Sequence, residues 1–175
     1  MKKIILTATA FLMISSFVFA QGSRMGTASS TQLQVVQGAR YLSGGGAAAN
    51  AVGMDAVYWN PAGLSLSDNG VDAIFSNRQY IADIENNFFG VSVDFLNMKM
   101  GANVRTFNIG DINETTVFSP DGTGQVFTPN FSIIGATASK KLSDNTSVGL
   151  NANYVRESFG RVSASGMAFD LGVQY

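Results

Sequence analysis

The chain has 175 residues, with 11 Lys and Arg against 12 Asp and Glu, a formal net charge of −1 and neither Cys nor His. The absence of excess positive charge argues against nucleic-acid binding, which depends on displacing counterions from phosphates. Without Cys or His, the chain cannot form a disulfide, a thiolate zinc site or a His-based catalytic arrangement. Charged residues make up only 13% of the chain, about half the share in an average soluble domain.

The first 20 residues have the features of a secretory signal peptide. Lys2 and Lys3 precede an uncharged apolar run from Ile4 to Val18, and Val18-Phe19-Ala20 supplies the small residues that a signal peptidase accepts. The run is too short for a stable transmembrane helix, so a retained membrane anchor is the weaker alternative. We therefore expect export, with residues 1–20 removed and Gln21 as the first mature residue.

From about Gly70 onward, apolar and polar residues alternate with a period of two, which is typical of strands with two unlike faces. The pattern is clearest from Ser147 to Tyr154, where Asn151 and Asn153 share the polar face. The alternation predicts about six antiparallel strands: Val71–Tyr80, Phe89–Phe95, Met98–Arg105, Phe131–Lys140, Ser147–Tyr154 and Gly166–Tyr175.

Such strands fit either a soluble β-sandwich or a transmembrane barrel. The polar face carries mainly Gly, Ser, Asn and Gln rather than Lys and Glu, which favours a hydrated barrel interior over a water-exposed surface. Strand lengths near ten residues match a tilted membrane crossing. Aromatic residues also lie near the expected strand ends, where interfacial girdles occur: Tyr80, Phe89, Phe95, Tyr154 and Tyr175. We therefore expect an all-β transmembrane barrel with inward-facing Arg105, Asn151, Asn153 and Asp170.

The expected connections alternate between short and long. Leu96-Asn97 and the segment Leu142–Thr146 are tight turns, whereas Gly110–Val126 is a long polar excursion. Short turns at one end and long loops at the other are typical of outer-membrane barrels. Six strands cannot close, since known single-chain barrels begin at eight. We expect the chain to be a truncated piece of a longer barrel; association of copies is the alternative.

Residues 21–70 differ from the strands that follow at residues 71–175. They combine Gly44-Gly45-Gly46 with small residues and with the motif Trp59-Asn60-Pro61-Ala62-Gly63. Asn60, which precedes a proline, is expected to be extended or in a turn, and Gly63 permits a tight reversal. This composition favours a compact plug of small residues, with Trp59 as its packing anchor; contact of Trp59 with a ligand is the alternative.

Several segments together resemble the PorV/PorQ family, which is related to the FadL-type outer-membrane transporters. The resemblance is most specific in the Trp-Asn-Pro-Ala block after the glycine run and extends over essentially the whole mature chain. The matching segments are Gly38–Arg40, Gly44–Gly46, Asp55–Leu64, Tyr80–Ile84, Asp121–Gly124 and Ser163–Asp170. It implies a FadL-like barrel with an N-terminal hatch in the lumen, to which Trp59, Asn60, Pro61, Ala62 and Gly63 belong.

The resemblance implies two functions. A PorV-type protein is an accessory or cargo-handling component of type IX protein secretion, with secretion-system subunits, exported cargo and outer-membrane lipid as partners. Its working surface would be the extracellular loops, including Phe118 and Phe127. A FadL-type protein instead passes hydrophobic small molecules across the outer membrane. A soluble secreted β-sandwich adhesin is a further alternative, from the residues alone.

No catalytic, metal-binding or cofactor-binding residue is expected, and we expect the protein not to be an enzyme. The acidic pairs Asp111 with Glu114 and Asp83 with Glu85 could serve as an acid and a base or hold calcium. Such pairs in loops are usually solvated turn residues. For Arg105 and Asp170 on the inward face, a structural salt bridge is favoured over a pair that steers a substrate.

Overall fold

The computed structural model describes residues 31–43, 48–79, 84–160 and 162–175. The expected signal peptide, the run Gly44-Gly45-Gly46 and the segment Tyr80–Asp83 lie outside these ranges. The described part of the N-terminal segment, residues 31–70, contains only short helices. These are 3-10 helices at Thr31–Gln34, Gly53–Asp55 and Pro61–Leu66, and α-helices at Ala39–Ser43 and Ala56–Trp59. None of the helices in the described ranges is long and apolar enough to cross a membrane.

The remainder of the chain is almost entirely antiparallel β-structure, which confirms the all-β prediction. Its main sheet has six strands in the order β1-β2-β3-β6-β7-β8. The strands are β1 Val71–Gln79, β2 Glu85–Phe95, β3 Met98–Asn108, β6 Asn130–Ser143, β7 Thr146–Phe159 and β8 Val162–Gln174. Each strand pairs with its neighbour in the sheet. Within the described residues the sheet is open, with β1 and β8 as its two edges.

Turns of two residues join the strands at one end of the sheet. Leu96 and Asn97 join β2 to β3 with φ of 48° and 59°, the left-handed conformation that a tight hairpin of this twist requires. Asp144-Asn145 joins β6 to β7. We call this end, where β1 also begins, the turn end. The opposite end, which carries the long connection from β3 to β6, is the loop end.

The sequence predicted only a long polar excursion between β3 and β6, but this connection contains some regular structure. It contains a small ribbon in which β4, Ile112–Asn113, pairs with β5, Val126–Phe127. Beyond the ribbon, an isolated bridge joins Thr116 to Ser119. Strands this short escape a search for alternation, because two residues do not establish a period.

The N-terminal segment packs against one face of the main sheet, here the covered face. The side chains on this face are largely buried, and many are polar, including Ser92, Asn103, Thr137, Asn151 and Asn153. The opposite, open face presents large apolar side chains, among them Phe75, Phe89, Ile134, Phe169 and Leu171, each more than half exposed. Within the described residues, no second sheet stacks against the open face. Toward the turn end the sheet therefore buries polar side chains and exposes apolar ones.

Candidate functional site

The Pro61–Leu66 helix lies almost in backbone contact with the covered face near the turn end. A Cβ atom placed on Gly149 of β7 would lie 2.4 Å from the Ala62 nitrogen, and one on Gly172 of β8 would lie 2.1 Å from the Asn60 side-chain oxygen. Ser139 of β6 completes this bed and donates a hydrogen bond from its hydroxyl to the Ala62 carbonyl, 2.8 Å away. Only glycine at positions 149 and 172 therefore allows the helix to approach so closely.

Asn60 connects the helix to the sheet in two ways. Its backbone is extended, as predicted for a residue before proline, and its side-chain oxygen accepts a hydrogen bond from the Ala62 N–H at 3.2 Å. Its side-chain nitrogen donates to the carbonyls of Ala49 at 2.9 Å and Val173 at 3.1 Å. Asn60 thus caps the Pro61–Leu66 helix, and its side-chain amide also hydrogen-bonds to β8.

Gly63 serves close packing rather than a chain reversal. It lies within the Pro61–Leu66 helix, and its φ is not in the left-handed region. A Cβ on Gly63 would lie 1.9 Å from the Ala51 carbonyl oxygen and 2.9 Å from the Ala56 Cβ. The tight reversal that glycine would permit does not occur at Gly63, because this residue lies inside a helix; glycine is needed there because the neighbouring backbone leaves no room for a side chain.

Trp59 packs among small and aromatic residues of the N-terminal segment. It lies against a cluster of buried alanines that includes Ala51 and Ala56. Its ring meets Tyr58 edge-on, with centroids 5.0 Å apart, and tilts toward Tyr41 at 6.5 Å. The Trp59 indole N–H is buried without a hydrogen-bond partner among the described residues. Trp59 therefore combines the packing position that was favoured from the sequence with a place in the wall of a cavity.

That cavity lies between the N-terminal segment and the covered face and has a volume of about 500 Å³. Mostly apolar and aromatic side chains from the segment meet polar side chains from the sheet in its lining. From the segment come Leu33, Gln34, Val36, Val57, Tyr58 and Trp59, and from the sheet come Arg105, Asn151, Asn153 and Asp170. All the residues expected to face inward therefore line one cavity.

Arg105 and Asp170 are connected through an asparagine rather than by a direct ion pair. The Arg105 Nη2 donates to the Asn153 Oδ1 at 3.3 Å, while Asn153 and Asn151 each donate from Nδ2 to the Asp170 Oδ2 at 3.0 Å. The Tyr58 ring lies beside the guanidinium, 5.5 Å from its carbon to the ring centroid. The expected salt bridge is therefore wrong, because the Asn153 amide occupies the space between the two charges.

Lys99 holds the chain where the N-terminal segment passes into β1. It is 2% exposed, and its Nζ donates to the carbonyls of Ser67, at 3.1 Å, and Asn69. The same Nζ lies 3.4 Å from the Asp72 carboxylate and 3.6 Å from that of Asp94. The sequence offers no sign of this role, since the two carbonyls that Lys99 binds lie 32 and 30 residues away along the chain.

The open face is organised in rows that cross all six strands, named here by their β3 members. The Met100, Ala102 and Val104 rows contain only apolar and aromatic residues. In order from β1 to β8 they are Val71, Val93, Met100, Ala138, Leu150 and Leu171; Ala73, Val91, Ala102, Ala136, Ala152 and Phe169; Phe75, Phe89, Val104, Ile134, Tyr154 and Met167. We call these rows the apolar band.

The expected aromatic girdle is placed differently from the prediction. Phe89 and Tyr154 do not lie at strand ends, because β2 begins at Glu85 and β7 continues to Phe159. Both lie in the Val104 row together with Phe75, at the edge of the apolar band nearest the loop end. The strands are longer than their alternation indicated, so residues near the predicted strand ends fall inside the strands.

The tip of the long connection exposes two apolar side chains. Val117 is 94% and Phe118 is 96% exposed, whereas Phe127 is half-buried in the β4–β5 ribbon. Asp111 and Glu114 lie near this ribbon and are exposed. No cluster of three or more metal-ligating side chains occurs within the described ranges.

No protein-family model matches this chain, and no curated protein matches it either. The PorV/PorQ resemblance therefore stays a hypothesis that depends on the motif residues themselves.

Proposed function

We propose that the chain forms part of the wall of an outer-membrane β-barrel whose lumen is plugged by the N-terminal segment. The apolar band carries this proposal. Leaving its side chains in water costs about 25 cal/mol of free energy for each Å² of apolar surface. Lipid acyl chains solvate the same surface without that cost. The buried polar side chains of the covered face support a hydrated lumen. In this arrangement the open face contacts lipid and the covered face contacts the hydrated lumen.

The open edges of the sheet bear on the same proposal. Unpaired backbone groups in hydrocarbon cost several kcal/mol each, so β1 and β8 require partner strands within a bilayer. The apolar band reaches both edges undiminished, since Phe75 on β1 is 72% exposed and Leu171 on β8 is 85% exposed. A partner strand paired with either edge would therefore adjoin this band.

Cell fractionation tests the membrane location. We expect the protein in the outer-membrane fraction, resistant to alkaline carbonate and faster on gels before boiling than after. A protein that remains in the soluble fraction and migrates identically with and without boiling would contradict the proposal and favour the secreted sandwich.

For the activity, we propose an accessory or cargo-handling role in type IX protein secretion. The resemblance to the PorV/PorQ family around Trp59–Gly63 supports it. Exposed Val117 and Phe118 support it as well, because an apolar tip at the loop end offers a contact for an exported protein or a secretion-system subunit. Such isolated apolar side chains stabilise nothing within the described chain.

Complementation of a deletion strain tests this role. We expect the strain to retain type IX cargo in the periplasm and the wild-type gene to restore export. The double variant Val117→Ser/Phe118→Ser should insert into the membrane normally and restore little export, while the Gln125→Ser control in the same connection should restore it fully. Normal export by the deletion strain would contradict the role.

One observation favours FadL-like transport as the second candidate. Phe107, Phe131, Ile133 and Val155 form a buried apolar cluster on the covered face, beside the polar inward residues recognised from the sequence. An apolar interior suits a hydrophobic solute. If the protein transports such solutes, the deletion strain should take up a long-chain fatty acid more slowly than the wild-type strain. The Val117→Ser/Phe118→Ser variant should restore that uptake fully. Unchanged uptake in the deletion strain would contradict the transport role.

A further inference from the structure

The open face changes polarity at one level on every strand. Beyond the Val104 row, toward the loop end, the next two rows are entirely polar. In order from β1 to β8 they are Asn77, Asn87, Thr106, Ser132, Arg156 and Ser165, followed by Gln79, Glu85, Asn108, Asn130, Ser158 and Ser163. The boundary between the Val104 and Thr106 rows therefore crosses the whole sheet without a step.

The covered face changes in the opposite sense near the same level. On the turn side it buries polar residues such as Asn103, Thr137 and Asn151. On the loop side it buries the cluster of Phe107, Phe131, Ile133 and Val155, against which Leu33, Val35 and Ile109 pack. Asn86 and Glu157 flank this cluster in the Phe107 row and are buried as well. On the central strands β3 and β6, the loop end of the sheet thus has a polar outside and an apolar inside, as a sheet in water does.

We infer that the hydrocarbon core of the bilayer ends between the Val104 and Thr106 rows, and that the strands continue beyond it as a water-exposed collar. This rests on the proposed membrane wall and adds to it the depth of immersion. The collar comprises the loop-end parts of the strands, from the Thr106 row outward.

The dimensions agree with this assignment. Phe95, Met98, Val148 and Val173 extend the apolar surface toward the turn end. The exposed Lys140, which pairs with Val148 at this level, carries the first charge met on the open face in that direction and marks the limit of the apolar surface there. From Met98 to Val104 an antiparallel strand rises about 20 Å, against an outward apolar band of about 25 Å in outer-membrane barrels. From Val104 to Asn108 it rises about 14 Å more, which is ample to leave the hydrocarbon.

The residues at the boundary have the chemistry of an interface. Phe75, Phe89 and Tyr154 lie in the last apolar row, the level at which aromatic side chains concentrate in membrane proteins. On the loop side of this row the open face carries the charged residues Arg156 and Glu85. On the same polar side, Asn77 donates from Nδ2 to the Asn87 Oδ1 at 2.7 Å across the strands.

Spin labels at single introduced cysteines test the boundary, since the chain has no native Cys to label. Variants of the full-length protein, extracted from outer membranes and reconstituted in phosphatidylcholine vesicles, would carry labels on two separated strands. The positions are Met100, Ala102, Val104, Thr106 and Asn108 on β3 and Leu150, Tyr154, Arg156 and Ser158 on β7. Collision rates with oxygen, which concentrates in hydrocarbon, and with a water-soluble nickel chelate are then compared.

We expect oxygen to dominate up to Val104 and Tyr154, and the nickel chelate to dominate from Thr106 and Arg156 onward. A reversal at different rows on β3 and β7, or oxygen dominance through Asn108 and Ser158, would overturn the inferred boundary while leaving the membrane wall intact. If nickel dominates at every position, including Ala102, then both the boundary and the proposed membrane wall fail.

A boundary-shifting variant sharpens the test. Replacing Thr106 and Ser132 by Val extends the apolar band by one row over two neighbouring strands. A label at Asn108 should then show a lower nickel collision rate than in the otherwise unaltered protein. The paired control replaces Thr106 by Ser and Ser132 by Thr, which conserves polarity and should leave that rate unchanged. An unchanged rate in the Val variant would contradict the assignment.

Discussion

The two halves of the main sheet follow opposite rules of burial. Toward the turn end, Ala102 and Val104 are exposed while Asn103 and Arg105 between and beside them are buried. Toward the loop end, Thr106 and Asn108 face outward while Phe107 is buried. Along this one strand, the face that buries its apolar side chains therefore changes between Val104 and Thr106. If the first half is immersed in lipid and the second in water, each half exposes what its own solvent tolerates.

The N-terminal segment adapts to the same difference. Leu33 and Val35 pack on the apolar cluster near the loop end, in the usual manner of a hydrophobic core. Near the turn end, where the sheet offers Gly149 and Gly172, the Pro61–Leu66 helix makes close backbone contact and hydrogen bonds. Leu64 of the same helix is also buried with Met54 and Val57 in an apolar cluster against Ile74 of β1. Close backbone contact and hydrogen bonds therefore add to hydrophobic burial in this half.

The largest effect is expected at the charge that anchors the segment in the turn-end half. Lys99→Met should lower the free energy of unfolding by about 3 kcal/mol, because it removes a buried ammonium from two backbone carbonyls and leaves the half-buried Asp72 carboxylate without its cation. Urea unfolding in lipid vesicles, followed by the fluorescence of Trp59, the single tryptophan, measures it. The exposed Lys140→Met is the control, and equal losses in the two variants would contradict the anchoring role.

Next in size is a direct contrast between the halves on β3. Ala102→Arg should cost about 2–4 kcal/mol of stability in vesicles, because it places a charge near the middle of the apolar band, whereas Asn108→Arg should cost about 1 kcal/mol or less. Folding yield and urea midpoints in the same vesicles compare them. Similar costs at both positions would mean that the two halves do not differ in solvent.

A smaller effect is expected at the glycine bed. Gly149→Ala should cost about 1–3 kcal/mol, because its Cβ has no space beneath the helix. Hydrogen exchange should rise at Ala62–Ser65 while heat-modifiable migration of the wall persists. Gly166→Ala on β8 is the matched control, since a Cβ there meets nothing within 4 Å. Unchanged exchange in Gly149→Ala would show that the helix does not depend on this contact.

The smallest effect concerns pH. Burial raises the pKa of Asp55 above its ordinary value, and Arg40, whose Nη1 lies 3.8 Å away but is largely exposed, opposes this only in part. The folded state therefore holds the Asp55 proton more tightly than the unfolded state, so this residue's contribution to stability falls as pH rises from about 4 through the folded pKa. Asp55→Asn should remove that part of the pH dependence of the urea midpoint. An identical pH profile in wild type and variant would contradict it.

The sequence alone determined the all-β class, the approximate positions of the six strands and the face on which Arg105, Asn151, Asn153 and Asp170 lie, because strand periodicity is a local property. The two-residue turn at Leu96-Asn97 was also predicted, because the alternation of the two flanking strands leaves only these residues between them. Tertiary structure decided which glycines the helix needs, which carbonyls Lys99 binds and that Asn153 separates Arg105 from Asp170. It also decided that the polarity changes on all six strands coincide at one level. That alignment depends on strand register, which is set by pairing between distant segments and by the faces they bury, so no single stretch of sequence contains it.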